Sequence, residues 1–191
     1  NGRNYFSNAW FQIMVEQSNN IVLEDILTIQ NPGWWIATWS YGIILTGVSN
    51  VQIQSILAGT VSGPQHAIYG GQWNTAAGLR MFNVTSGHIE SSQFGSNDWP
   101  WVEIHNSDDI YVWNTVFSGN QQSGNSLTGL QWWLTATGVT NLVVDTVYLY
   151  DNRGNGIDFR NTPNVQIDNV IVANTITDGS SYNWVSVSAD D

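Results

Sequence analysis

The chain has 191 residues, enough for one sizeable core, and nothing in it marks a division into two. Fifteen Asp and Glu stand against four Arg and no Lys, giving a net charge of −11. That balance excludes partners held by phosphate neutralisation, namely nucleic acid and anionic membranes, and disfavours polyanionic polymers unless a bound cation intervenes. No run of 18 apolar residues is present, so no membrane span is expected. The lack of cysteine removes disulfides and thiolate metal sites without fixing the compartment. Only 10% of residues are charged, so the surface is solvated by abundant Asn, Gln, Ser, Thr and Gly. The 11 Trp are the compositional anomaly that a function must explain.

Taken in chain order, a two-strand phrase recurs. Each strand alternates apolar and polar residues, and a bend rich in Asn, Ser, Gly or Pro joins them. The inward pairs of the first strand align as Ile13/Val15, Ile43/Leu45, Leu79/Met81, Val102/Ile104, Leu134/Ala136, Ile157/Phe159 and Val185/Val187, at intervals of 23 to 36 residues. The second strand starts at Ile21, Val51, Ile89, Ile110, Leu142 and Val165. A polar residue marks its fifth position: Asp25, Ser55, Gln93, Asn114, Thr146 and Asn169. On this alignment the copy at 79–94 needs two extra residues in its bend, Val84-Thr85-Ser86-Gly87. A third short apolar piece follows most copies, as in Leu27-Thr28-Ile29, Val147-Tyr148-Leu149 and Ile171-Val172-Ala173.

One such unit cannot bury its own apolar side, so the copies must stack. The pattern predicts an all-β, single-domain right-handed parallel β-helix of six to seven coils spanning 1–191, with a β-sandwich as the competing arrangement. Recurrent Asn at the bends (Asn20, Asn50, Asn141, Asn164) suits a left-handed backbone. The final residues, 185–191, begin another copy without its second strand, and no amphipathic capping helix precedes the first. A longer parent chain is therefore expected, or an oligomer that covers the open coil ends, where exposed edges invite self-association. The loops 30–42, 58–78, 95–101, 118–132 and 174–183 carry much of the aromatic surplus.

The coils resemble the pectin-lyase-like superfamily, above all Ser18-Asn19-Asn20-Ile21-Val22-Leu23-Glu24-Asp25-Ile26 followed by Asn31-Pro32-Gly33-Trp34-Trp35-Ile36. Within it, the Asn-Pro-then-Trp phrase looks like polygalacturonase-type glycoside hydrolases, and phage tailspikes share the architecture. Polygalacturonases carry Asn-x-Asp, a paired Asp, Gly-His-Gly and Arg-x-Lys. Here Asp108-Asp109 sits where other copies have a bend, Gly87-His88-Ile89 lacks the second glycine, and Asp158-Phe159-Arg160 only echoes the basic pair. The resemblance thus implies a glycan partner more strongly than that enzyme's mechanism.

Alternation sets two outward columns on the first strands: Met14, Ile44, Arg80, Glu103, Thr135, Asp158, Ser186, and Glu16, Thr46, Phe82, His105, Thr137, Arg160, Ser188. With coils about 4.8 Å apart, Arg80, Glu103, His105, Asp158 and Arg160 form one polar patch, with Arg153 near it. Glu103 and Asp158 then stand roughly 9–10 Å apart, at the upper end of the separation of about 6.5–9.5 Å that suits an inverting glycosidase. Glu103 is the candidate general acid and Asp158 the base, with Arg80, His105 and Arg160 positioning them. The plainer alternative is that Glu103–His105 and Asp158–Arg160 are same-strand pairs that solvate the sheet. Trp101 and Trp133 precede inward residues of adjacent coils, and Trp99 and Trp132 lie beside them. These rings either form a platform for sugar faces, pack under a loop, or meet another subunit.

No cofactor is expected. Asp145, Asp151 and Asp168 offer oxygen ligands for Ca²⁺, though no spacing demands it. Asn83-Val84-Thr85 is a glycosylation sequon only in a eukaryotic source. The expected partner is a neutral or weakly charged polysaccharide, in an extracellular, secreted or virion-surface setting. The competing class is a non-catalytic fibre or adhesin segment.

Overall fold

A computed structural model describes residues 4–6, 11–28, 41–59, 78–95, 102–118, 132–150, 155–173 and 185–188. All of it is strand and tight bend. A short strand β1 (Asn4–Phe6) precedes the first coil, β2 (Phe11–Glu16), β3 (Asn19–Glu24) and β4 (Ile26–Thr28). The next two coils are β5 (Tyr41–Thr46), β6 (Ser49–Gln54), β7 (Leu57–Gly59) and β8 (Leu79–Phe82), β9 (Thr85–Glu90), β10 (Gln93–Gly95). In the fourth and fifth coils the second and third strands are continuous: β11 (Val102–His105) leads to β12 (Asp108–Ser118), and β13 (Trp132–Thr137) to β14 (Thr140–Tyr150). Then come β15 (Asn155–Arg160), β16 (Val165–Asp168), β17 (Ile171–Ala173) and β18 (Val185–Ser188).

Every pairing is parallel and joins one coil to the next, which makes the chain a parallel β-helix. The first strands form a seven-stranded sheet in the order β18-β15-β13-β11-β8-β5-β2. The second and third strands form two further faces, joined into one 11-stranded sheet because β12 and β14 run through the corner between them. Val102 pairs with Leu134, Leu134 with Ile157 and Ile157 with Val185, so the expected vertical files hold.

The interior is a stack of like residues. Ile43, Leu79, Val102, Leu134 and Ile157 share one file, Leu45, Met81, Ile104, Ala136 and Phe159 the next, and all are fully buried. On the third face Phe94 and Phe117 stack at 5.7 Å with ring planes 20° apart. Two polar types enter this core with their needs met. Ser107 donates to the carbonyl of His105 at 2.8 Å and accepts from the amide of Val84 at 3.1 Å. Thr115 donates to the carbonyl of Trp113 at 2.9 Å. A buried hydroxyl costs little once it is bonded in this way.

Each coil bends through three left-handed residues. The first corner holds Gln17, Gly47, Asn83, Asn106, Gly138 and Asn161. The second holds Asn20, Asn50, Ser86, Asp109, Asn141 and Asn164, and the third Asp25, Ser55, Ser91, Asn114, Thr146 and Asn169. At the second corner the side chains ladder from coil to coil: Asn50 donates to Asn20, Asn141 to Asp109 at 2.8 Å, and Asn164 to Asn141 at 3.0 Å.

One coil corrects the sequence alignment. Gly87, not Ile89, pairs with Val51 and Ile110, while Ile89 pairs with Ile53 and Val112. The third-corner residue is accordingly Ser91 rather than Gln93, and the bend has no extra residues. Glycine occupies this inward position because Met81 and Ile110 already fill it: a Cβ there would lie 2.7 Å from Met81 Cε and 2.9 Å from Ile110 Cδ1. Gly87→Val should therefore overpack the core and lower stability by about 1–3 kcal/mol. Urea denaturation of the variant checks this, and Met81→Ala in the same chain should recover part of the loss.

Candidate functional site

The outward columns of the first sheet assemble as the alternation requires. Arg80, Glu103, Thr135 and Asp158 are successive partners, and beside them Phe82, His105, Thr137 and Arg160. These positions exist because each first strand sends two residues inward to the core and must send the intervening two outward. The structure brings together Arg80, Glu103 and His105 at one level and Asp158 with Arg160 two coils on. Among the described residues these are the only arginines, so in a chain so poor in cations both lie on this face.

At the lower level Glu103 Oε2 lies 3.4 Å from Arg80 Nε and 3.9 Å from His105 Nε2, with its side chain only 16% exposed. Withdrawal from water raises the Glu103 pKa above its ordinary 4.5, and the Arg80 charge offsets part of that rise. His105 moves the opposite way, below 6.5, because burial and the nearby Arg80 both disfavour its cation. The imidazole therefore stands neutral beside Glu103 near neutral pH, and Arg80 is the cation that Glu103 faces.

At the upper level Asp158 Oδ2 lies 2.9 Å from Arg160 Nη2. The contact is close enough for an ion pair but misaligned for a hydrogen bond, and this buried oxygen accepts none among the described residues. Asp158 is 3% exposed and Thr135, between the two carboxylates, 5%. Outward in register does not mean wet here. Two strand spacings separate Glu103 from Asp158, roughly 9–10 Å along the file.

Trp133 follows Trp132 at the start of β13, one residue before Leu134. Their side chains lie outside the described residues, as do Trp99, Trp101 and Arg153 altogether. Asp145 and Asp168 are register partners on the second face, and Asp151 lies outside the described residues. Asp145 Oδ1 accepts from Asn169 at 2.9 Å and from Thr146 at 3.0 Å, which holds its carboxyl below the usual range. Among the described residues no group of three His, Asp or Glu is placed to hold a metal ion. None of them forms a helix long and apolar enough to cross a membrane.

No protein-family model matches this sequence, and no curated protein does. A solved structure described as a "putative glycosyl hydrolase" from Parabacteroides merdae is similar in fold, superposing with a TM-score of 0.59 at 12% identity and covering 89% of this chain and 83% of the other. The surface adhesin PfbA of Streptococcus pneumoniae aligns over 86% of this chain and 56% of its own at 11% identity, with a TM-score of 0.35.

Two expectations follow from the charges. Glu103, with its pKa raised on folding, contributes stability that is full below 4.5 and lost as pH rises through its folded value. His105, with its pKa lowered, contributes stability that is full above 6.5 and lost as pH falls through its folded value. In Glu103→Gln the first component should vanish, so unfolding free energy relative to wild type should grow as pH rises from 4.5; a flat difference in urea titrations would remove the assignment. Arg160→Ala should cost about 1–3 kcal/mol by stranding the buried Asp158. Adding Asp158→Asn should return most of that loss, as a double-mutant cycle will read.

Proposed function

We propose that this β-helix binds a neutral or weakly charged polysaccharide along the outer face of its first sheet and hydrolyses it with inversion. The observation that carries the reading is Glu103. It is a carboxyl withdrawn from water, with a raised pKa, on a face that gathers both described arginines. A carboxylic acid that keeps its proton nearer neutrality is what protonation of a glycosidic oxygen requires. Asp158 is the matching base. It lies two coils along the same file, at a spacing that leaves room for a water molecule on the far side of the sugar ring.

In this scheme Glu103 gives its proton to the leaving oxygen as the glycosidic bond breaks, and Asp158 takes one from the attacking water. Arg80 and Arg160 fix the two carboxyls, and the neutral His105 offers a hydrogen-bonding edge to a hydroxyl. The scarcity of charged residues, 10% of the chain, and the abundance of amide and hydroxyl side chains favour a partner recognised through hydroxyls rather than ions. The "putative glycosyl hydrolase" description of the similar structure points to the same chemistry.

A second reading has its own observation. The burial of Asp158 against Arg160 suits a purely structural pair, in which case the coils serve as a stiff fibre or adhesin segment. Reducing-end assays on neutral polysaccharides separate the two. Hydrolysis predicts release of reducing ends with inverted anomeric configuration by NMR. It also predicts a rate loss of about 10²- to 10⁴-fold in Glu103→Gln and in Asp158→Asn, assayed at a temperature where circular dichroism shows both variants folded. Release of no reducing ends from any substrate, or rates untouched by both substitutions, would assign the face to the structural role.

A further inference from the structure

We infer that the chain carries a second saccharide-binding site, at the corner between its second and third faces and away from the first sheet. Third-corner residues form a file in which the side chains of adjacent coils meet. Thr146 and Asn169 both bond Asp145, and Asn114 donates to Ser91 at 3.2 Å. At two successive coils the file narrows to Ser55 and Ser91. The missing bulk leaves an open groove of about 360 Å³, whose lining includes Ser55, Ser91, Gln93, Asn114 and Val116. That volume lies within the range of small-ligand sites, about 300–1,000 Å³.

Residues adjacent in chain or register to those that line the groove have the chemistry a sugar needs. On the second-face side Gln54, Glu90 and Trp113 are register partners. Trp113 immediately precedes Asn114 and is 38% exposed, a large ring left in water. On the third-face side Gln93 and Val116 are partners, followed by the equally exposed Tyr148. Hydroxyls and amides both donate and accept, as a polyhydroxylated ligand requires, and the aromatic faces suit the C–H faces of a pyranose ring. No cation lines the groove, and Glu90 with the chain's negative charge would repel an anion, so the ligand class is a neutral saccharide.

The corner is opposite the first sheet, so this site is independent of Glu103 and Asp158 and would hold a chain without cutting it. The backbone permits clean tests. Ser91 and Asn114 both have positive φ, 47° in each, which Asn and Gly tolerate. Ser91→Asn refills the notch with the amide that other coils carry, and Asn114→Gly removes an amide, both without backbone strain. Trp113→Ala removes the exposed ring.

The experiment is affinity electrophoresis of the full chain through gels cast with dextran, laminarin, xyloglucan or galactomannan. It is run in the Glu103→Gln/Asp158→Asn background so that cleavage cannot interfere. At least one polysaccharide should retard the protein, and Trp113→Ala and Ser91→Asn should each weaken that retardation about tenfold with melting unchanged. In the otherwise unaltered chain both substitutions should leave kcat for any hydrolysis intact, which separates this site from the first face. Retardation by none of the four polymers, or retardation that survives Trp113→Ala, Ser91→Asn and Asn114→Gly alike, overturns the proposal.

Discussion

In each of the six complete coils the backbone turns left-handed three times, the second turn three residues after the first and the third five residues after that. Every pairing depends on this invariance, because a one-residue slip would carry the apolar file of a strand to its solvent face. The conformation is costly for most residues, roughly 1–2 kcal/mol each. The chain meets that cost with composition, since nine of the sixteen non-glycine positions are Asn and two are Asp. It recovers more through bonds between coils: the corner amides of Gln17, Ser49, Asn83 and Asn106 all donate to carbonyls one coil away. The side-chain ladder at the second corner does the same outside the backbone.

The same constraint explains what could be read in advance. First-strand files were legible because each copy presents two strong apolar residues at a separation of two, and the Asn bends because few residues tolerate that backbone. The third copy is hard to align because its inward position is glycine. With no apolar side chain at 87, the alternation points to Ile89, two residues late, and so to Gln93 in place of the corner residue Ser91. β1 has no sequence signal because three residues carry too little periodicity to declare a strand. Its register with β4 is visible only once the coils are stacked.

The candidate site was legible as a placement and not as an environment. Alternation put Glu103 and Asp158 in one file, and the structure agrees. That Asp158 and Thr135 are nearly dry could not be inferred, because outward residues on a half-covered sheet range from wet to buried according to what packs beside them in space. The opposite titration shifts of Glu103 and His105 are consequences of that hidden dryness, with Arg80 modulating both. The corner groove left no sequence signal beyond two serines in positions where bulkier residues stand in other coils.

The bends between the three faces never change length, whereas the segments from each third strand to the next first strand run from four residues at 151–154 to nineteen at 60–78. All length variation is therefore gathered at a single seam of the prism, the one bordering the sheet that carries Glu103 and Asp158. Differing lengths there coexist with one register of the stacked strands, whereas an insertion at either tight corner would break the register of two faces. Such a scaffold separates what must stay fixed for folding from what can diversify for recognition, and it sets them side by side along the length of the molecule.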